Sequence, residues 1–143
     1  MSPALPRALH RTVRLSASGD ASPELAWQRY ERFDLWPTWS PQIRGVQVDA
    51  ELLAAGLRGT VVGPLGFRVE FHVDAVDAAA RTWSWTVRPA WPLAVVELSL
   101  VHAVTGLPGG RSTTTLASTG PAPVVLAYAP LALIALRRLV SAS

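Results

Sequence analysis

Cysteine is absent from this chain of 143 residues. That excludes disulfides, thiolate metal sites and a cysteine nucleophile, and leaves the redox compartment open. Lysine is absent too, so all 13 basic residues are arginines. They lift the pI to about 10.5, but the net charge is only +3 and acids lie between the arginines along the chain. Nothing here resembles the basic footprint of a nucleic-acid binder, and no nucleic-acid partner is expected. Charge of either sign is scarce, at 16% of residues against 50% hydrophobic, which argues against general disorder. Met1 to Leu9 contains two prolines and no apolar run of signal-peptide length, so the expected location is cytoplasmic. His10, His72 and His102 are far apart and have no carboxylates at ligand spacing, so neither a metal nor another cofactor is expected. Also missing are a Gly-x-Ser-x-Gly elbow, a phosphate loop, a closely spaced carboxylate pair and any internal repeat.

What is present is organised around the last stretch. Gly120-Pro121-Ala122-Pro123 leads into Val124 to Leu136, a run without a single charge, and Arg137-Arg138 closes it. The prolines suit a helix start and the arginines a helix end, where the dipole favours positive charge. A helix that is apolar all round has to be buried, in a core or in a membrane. Pro130 is expected to kink or split it. As a helix, Ala122 to Leu136 spans roughly 22 Å at ~1.5 Å per residue. That is short of a hydrocarbon core of about 30 Å. Small residues Ala127, Ala129, Ala132 and Ala135 would let it lie close against a sheet. The expectation is a soluble protein without stable membrane insertion, whose sheet grips this helix.

The rest of the chain supplies that sheet. Residues 1–8 read as a flexible lead-in, and 9–143 as one domain. Leu9 to Ala17 alternates as a half-exposed strand. Ser22-Pro23-Glu24 opens a helix, with Ser22 as N-cap. Asp34 to Pro41 is an aromatic elbow containing a short helix. Trp36 precedes Pro37 and is biased away from a continuing helix. Trp36 and Trp39 either plug one end of the core or wall a pocket. Strands follow at Ile43–Asp49, Leu57–Gly63, Phe67–Val76, Arg81–Arg88, Leu93–Val104 and Arg111–Thr119, with breaks at Gly63–Gly66, Pro89–Pro92 and Gly106–Gly110. Short strands without crossover helices argue for an antiparallel sheet. The fold class is therefore α+β, with a seven-stranded antiparallel sheet around a long C-terminal helix and two short helices near the N-terminus. Such a sheet tends to leave a hollow against its helix, and hollows of that kind bind small molecules.

Several stretches together resemble a known family. They are Tyr30–Phe33–Asp34–Leu35–Trp36–Pro37–Thr38–Trp39–Ser40–Pro41, Gly56–Leu57–Arg58–Gly59–Thr60–Val61, the Gly63–Pro64 hairpin and the strand containing Trp83. The Gly109–Gly110 turn before a Thr-rich strand and Gly120 before the last helix fit the same pattern. They look like polyketide cyclase/dehydrase-type members of the START/Bet v 1-like (SRPBCC) superfamily, over nearly the whole chain. The resemblance implies a helix-grip fold with a central apolar cavity for lipids, polyketides or other hydrophobic ligands. Some members are aromatase/cyclases. Its motifs are structural rather than catalytic, and no catalytic group carries over.

Two function classes follow: a binder of a small hydrophobic ligand, or a cyclase/aromatase-like enzyme using the same cavity. The expected lining is Trp39, Phe67, Val69, Phe71, Trp83, Trp85, Leu98, Leu100, His102 and Tyr128. His102 shares its strand parity with Val96, Leu98 and Leu100 and is the best candidate for an ionisable cavity group. A hydrogen-bonded structural role is the plainer reading. Glu97 is a weaker catalytic candidate, since its parity points outward and a buried carboxylate is costly unless paired. Tyr128 is the only polar side chain between Val124 and Leu136, either a satisfied core tyrosine or an anchor for a ligand's polar end. Few ionisable groups are available, which favours binding over catalysis. Homodimerisation is left open.

Overall fold

The computed structural model describes residues 9–89 and 96–142. The lead-in at 1–8 and much of the expected break and strand start between Ala90 and Val95 lie outside the described residues. Seven strands form one sheet: β1 (His10–Gly19), β2 (Gly45–Val48), β3 (Arg58–Val62), β4 (Arg68–Asp77), β5 (Thr82–Pro89), β6 (Leu98–Gly106) and β7 (Ser112–Pro121). Their order is β1-β7-β6-β5-β4-β3-β2, and every neighbouring pair is antiparallel. After β1 the chain crosses to the far edge through α1 (Pro23–Glu31), a 3₁₀ turn at Phe33–Leu35 and α2 (Trp36–Trp39). It then meanders back, so that β7 pairs with β1 and feeds directly into α3 (Ala122–Leu139).

Local chemistry explains these elements. The Ser22 hydroxyl accepts from the Leu25 N–H at 3.1 Å and caps α1, with Pro23 and Glu24 in the first turn, as the sequence predicts. Strand alternation selects the inner face: Trp83, Trp85 and Val87 on β5, and Leu98, Leu100, His102 and Val104 on β6, are buried. A bulge between Val73 and Ala75 in β4 shifts the register there and marks the end of the clean alternation from Val69 to Val73. Trp36 departs from expectation. It adopts right-handed helical angles (φ −55°, ψ −40°) and starts α2 despite the proline that follows. Its ring is fully buried and its indole N–H donates to the Tyr30 carbonyl at 2.9 Å, so packing overrides the local bias.

The last helix differs from expectation in three ways. It runs unbroken through Pro130. That proline lies on the exposed side, where the Leu126 carbonyl deprived of its donor can be hydrated. The helix is also longer than predicted: its 18 residues extend about 27 Å, long and apolar enough to cross a membrane by length and composition alone. Packing, rather than length, therefore ties it to the sheet. Val125, Ala132, Ala135, Leu136 and Leu139 are buried against the strands. Finally, it is not buried all round. Pro123, Leu126, Ala127, Pro130, Leu131 and Ile134 recur at helical spacing on an exposed face that ends in Arg137 and Arg138.

The C-terminal end of α3 is pinned to the start of the chain. The Arg29 guanidinium on α1 donates to the carbonyls of Arg138 (3.2 Å), Leu139 (2.7 Å) and Ser141 (2.7 Å), the arrangement that the helix dipole favours. The Ala21 N–H adds a bond to the Val140 carbonyl at 2.9 Å. Gly19 permits this approach, since a Cβ there would collide with the Val140 backbone.

Candidate functional site

Between the inner face of the sheet and α3 lies a cavity of about 250 Å³. Trp39, Phe67, Val69, Trp85, Leu98, Leu100, His102 and Tyr128, all expected from the sequence, line it. Phe67 sits at its edge, with roughly half its surface exposed at 48%. Val87 and Val96 join on the same strand parities, and Leu116, Val124, Ala132, Ala135 and Leu136 complete the wall from β7 and α3. The tryptophans of the elbow divide the two readings: Trp39 walls the cavity, while Trp36 plugs the core behind it.

Three expected residues stand elsewhere. Phe71 and Trp83 do not line the cavity. Both belong to the aromatic cluster packed beneath it, Phe71 beside Phe33 and Trp85, and Trp83 stacked on His102 with centroids 4.6 Å apart. Correct parity brought them to the inner face, but the rings of α1 and α2 fill the space in front of them. Glu97 lies on the outer side, about half exposed, with its carboxylate against Arg88. It cannot act in the cavity. His72 is likewise outside, with Nδ1 2.8 Å from Asp74.

His102 is buried among hydrogen-bonding partners whose roles can be assigned. The Trp85 indole is a donor only, so its Nε1–H donates to His102 Nε2 at 3.0 Å. The ring proton is therefore on Nδ1 and is donated to the Tyr30 hydroxyl at 3.1 Å. The Thr114 hydroxyl donates to the Ala103 carbonyl at 3.0 Å. Tyr30 must then donate to Thr114 Oγ1, at 2.6 Å. Every donor in the chain Trp85–His102–Tyr30–Thr114–Ala103 points the same way. Burial pulls the His102 pKa down from its ordinary value to about 3, so the imidazole is neutral. Neither nitrogen is free: one lone pair accepts, and the one proton is donated. A general base needs an available lone pair facing its substrate, and both nitrogens of His102 are already engaged.

Besides His102, the described wall carries the polar side chains of Ser40, Gln42 and Tyr128. Tyr128, in the second turn of α3, makes no hydrogen bond among the described residues, and burial raises its pKa to about 12. The side-chain oxygen of Gln42 is buried without a partner. Gln42 lies in a loop, where no periodicity in the sequence reveals its direction. No arginine, aspartate or glutamate is among the described residues that line the cavity, and no group of three His, Asp or Glu that could hold a metal occurs among the described residues.

The chain matches the family described as polyketide cyclase / dehydrase and lipid transport over residues 10–142. No curated protein sequence matches it. Among solved structures, it is similar to the crystal structure of Ara h 8.0201, with a TM-score of 0.72 at 15% identity, covering 91% of this chain and 94% of that one. At that identity the likeness concerns the fold alone. The helix-gripping sheet and the family match over nearly the full length agree, and the chain belongs to the polyketide cyclase / dehydrase and lipid transport family, within the Bet v 1-like (SRPBCC) superfamily.

Proposed function

We propose that this protein binds a small hydrophobic ligand, a lipid, polyketide or similar molecule, in the cavity between the sheet and α3. One observation carries the reading: a cavity of about 250 Å³ walled by aliphatic and aromatic side chains, without a charged residue among those described. Burial of apolar ligand surface against such a wall stabilises the complex by about 25 cal/mol per Å² before the costs of association. The fold and family are consistent with this class of ligand. The alternative, a cyclase/aromatase-like enzyme, calls for an ionisable group able to exchange a proton with the ligand. His102 has both nitrogens engaged and Glu97 lies outside the cavity, so no catalytic residue is assigned. The proposal includes a cytoplasmic protein that needs no metal, cofactor or nucleic acid and is not stably inserted in a membrane, supported by the packing of α3 on the sheet.

Native mass spectrometry of the full-length protein, with and without prior organic extraction, tests the reading. A non-covalent adduct of a hydrophobic small molecule is expected, or rebinding of an added one after extraction. Substitution of Ala132 by Phe, which fills the cavity from α3, should abolish it. Stoichiometric nucleotide or zinc in place of such a ligand would overturn the proposal.

A further inference from the structure

Among the described residues of the wall, Ser40, Gln42, His102 and Tyr128 have polar side chains, and Gln42 and Tyr128 say what the far end of a ligand must look like. The Gln42 side-chain oxygen is buried and unpartnered, and the Tyr128 hydroxyl has no partner among the described residues. A buried polar atom left without a hydrogen bond is destabilising, and native folds satisfy nearly all of them. This contrasts with the next layer of the same site, where Trp85, His102, Tyr30 and Thr114 are joined end to end. Trp83 Nε1 and Ser118 Oγ, off the wall, are also buried without a partner, but of these three atoms the Gln42 oxygen belongs to a residue that lines the cavity.

The chemistry of the missing partner is constrained. An ionised ligand would bring a charge into a site with no arginine among its described lining residues, and His102 is neutral with both nitrogens occupied. A carboxylate there would be desolvated and uncompensated. A hydroxyl carries no charge, donates once and accepts twice, and so satisfies a carboxamide in either orientation as well as a tyrosine hydroxyl. The volume of about 250 Å³ gives room for a fused-ring system. We propose that the cavity selects a small, uncharged, hydroxyl-bearing hydrophobe, a phenol or an alicyclic alcohol, with the Gln42 carboxamide as its anchor and Tyr128 as a second contact. This rests on the ligand-binding reading above and narrows it to a chemical class.

The test is calorimetric titration of the full-length protein at neutral pH with three probes of one shape: 2-naphthol, naphthalene and 2-naphthoate. One neutral hydrogen bond should make naphthol bind about three- to tenfold more tightly than naphthalene, with naphthoate weakest of the three. In Gln42→Met most of the naphthol preference should be lost while naphthalene binding persists. The melting temperature of the ligand-free variant should rise, because a buried unpartnered atom has been removed. Tyr128→Phe, nearly isosteric, should reduce the preference in part. Equal affinity for naphthol and naphthalene, tightest binding of naphthoate, or a preference undiminished in Gln42→Met would overturn the assignment and leave hydrophobic binding intact. If none of the three binds, the ligand-binding reading fails and this inference with it.

Discussion

A histidine on the inner face of an apolar strand invites a catalytic reading, and the partners of His102 decide otherwise. Its neutral form is built into the fold by one donor and one acceptor, so the group registers as a stability element. The sign follows from linkage. The folded pKa, about 3, lies below the unfolded value of about 6.5, so the unfolded chain takes up a proton first as pH falls. Stability from this site is complete above about 6.5 and declines by up to roughly 1.4 kcal/mol per pH unit as pH drops toward 3. Urea melts at pH 8, 6 and 4.5 should show that loss. His102→Gln should flatten the slope at acid pH while costing about 1–3 kcal/mol at pH 8. A second prediction at this scale concerns Leu65, fully exposed at φ 59° in the β3–β4 connection. A branched side chain in left-handed backbone is strained, and Leu65→Asn should stabilise the fold by about 1 kcal/mol in thermal unfolding.

α3 is two helices in one: a sheet-facing stripe that holds the fold and an outer stripe that does not. Substituting Leu126, Leu131 and Ile134, all exposed, by Gln should shift unfolding by no more than about 0.5 kcal/mol each. Pro130→Ala restores a donor within the helix and should stabilise it, by up to about 3 kcal/mol; chemical denaturation of these variants separates the two stripes. The outer stripe also shows what was legible beforehand. Period-two alternation in β4, β5 and β6 carries its own direction, so the inward turn of His102 and the outward turn of Glu97 could be read from the sequence. A run that is apolar at every position has no such contrast, and the exposed face of α3 was hidden in it. The same holds for depth: parity brought Phe71 and Trp83 to the correct face but could not say that α1 and α2 would cover them. Tyr30 was invisible as the partner of His102, and Thr114 as the partner of Tyr30, because the members of each pair lie 72 and 84 positions apart. Gln42 had no pattern around it at all.

At the scale of the whole molecule, the ends of the chain hold each other. Arg29→Met removes three charge-assisted bonds to the carbonyls that end α3 and should cost about 1.5–3 kcal/mol. Hydrogen exchange localises the effect, since the last turn of α3 should lose protection first. The clamp has a further consequence in time. Arg29 and Leu139 are 110 positions apart, and among the described residues β1 pairs with β7 alone. Closing loops of that length precedes the contacts that reward it, which makes folding slow. During synthesis β1 waits for β7, and α3, which follows β7 in the chain, is also the element that covers the apolar face of the sheet. Until α3 docks, Trp85, Leu98 and Leu100, all buried in the folded protein, form exposed apolar surface of the kind that promotes aggregation.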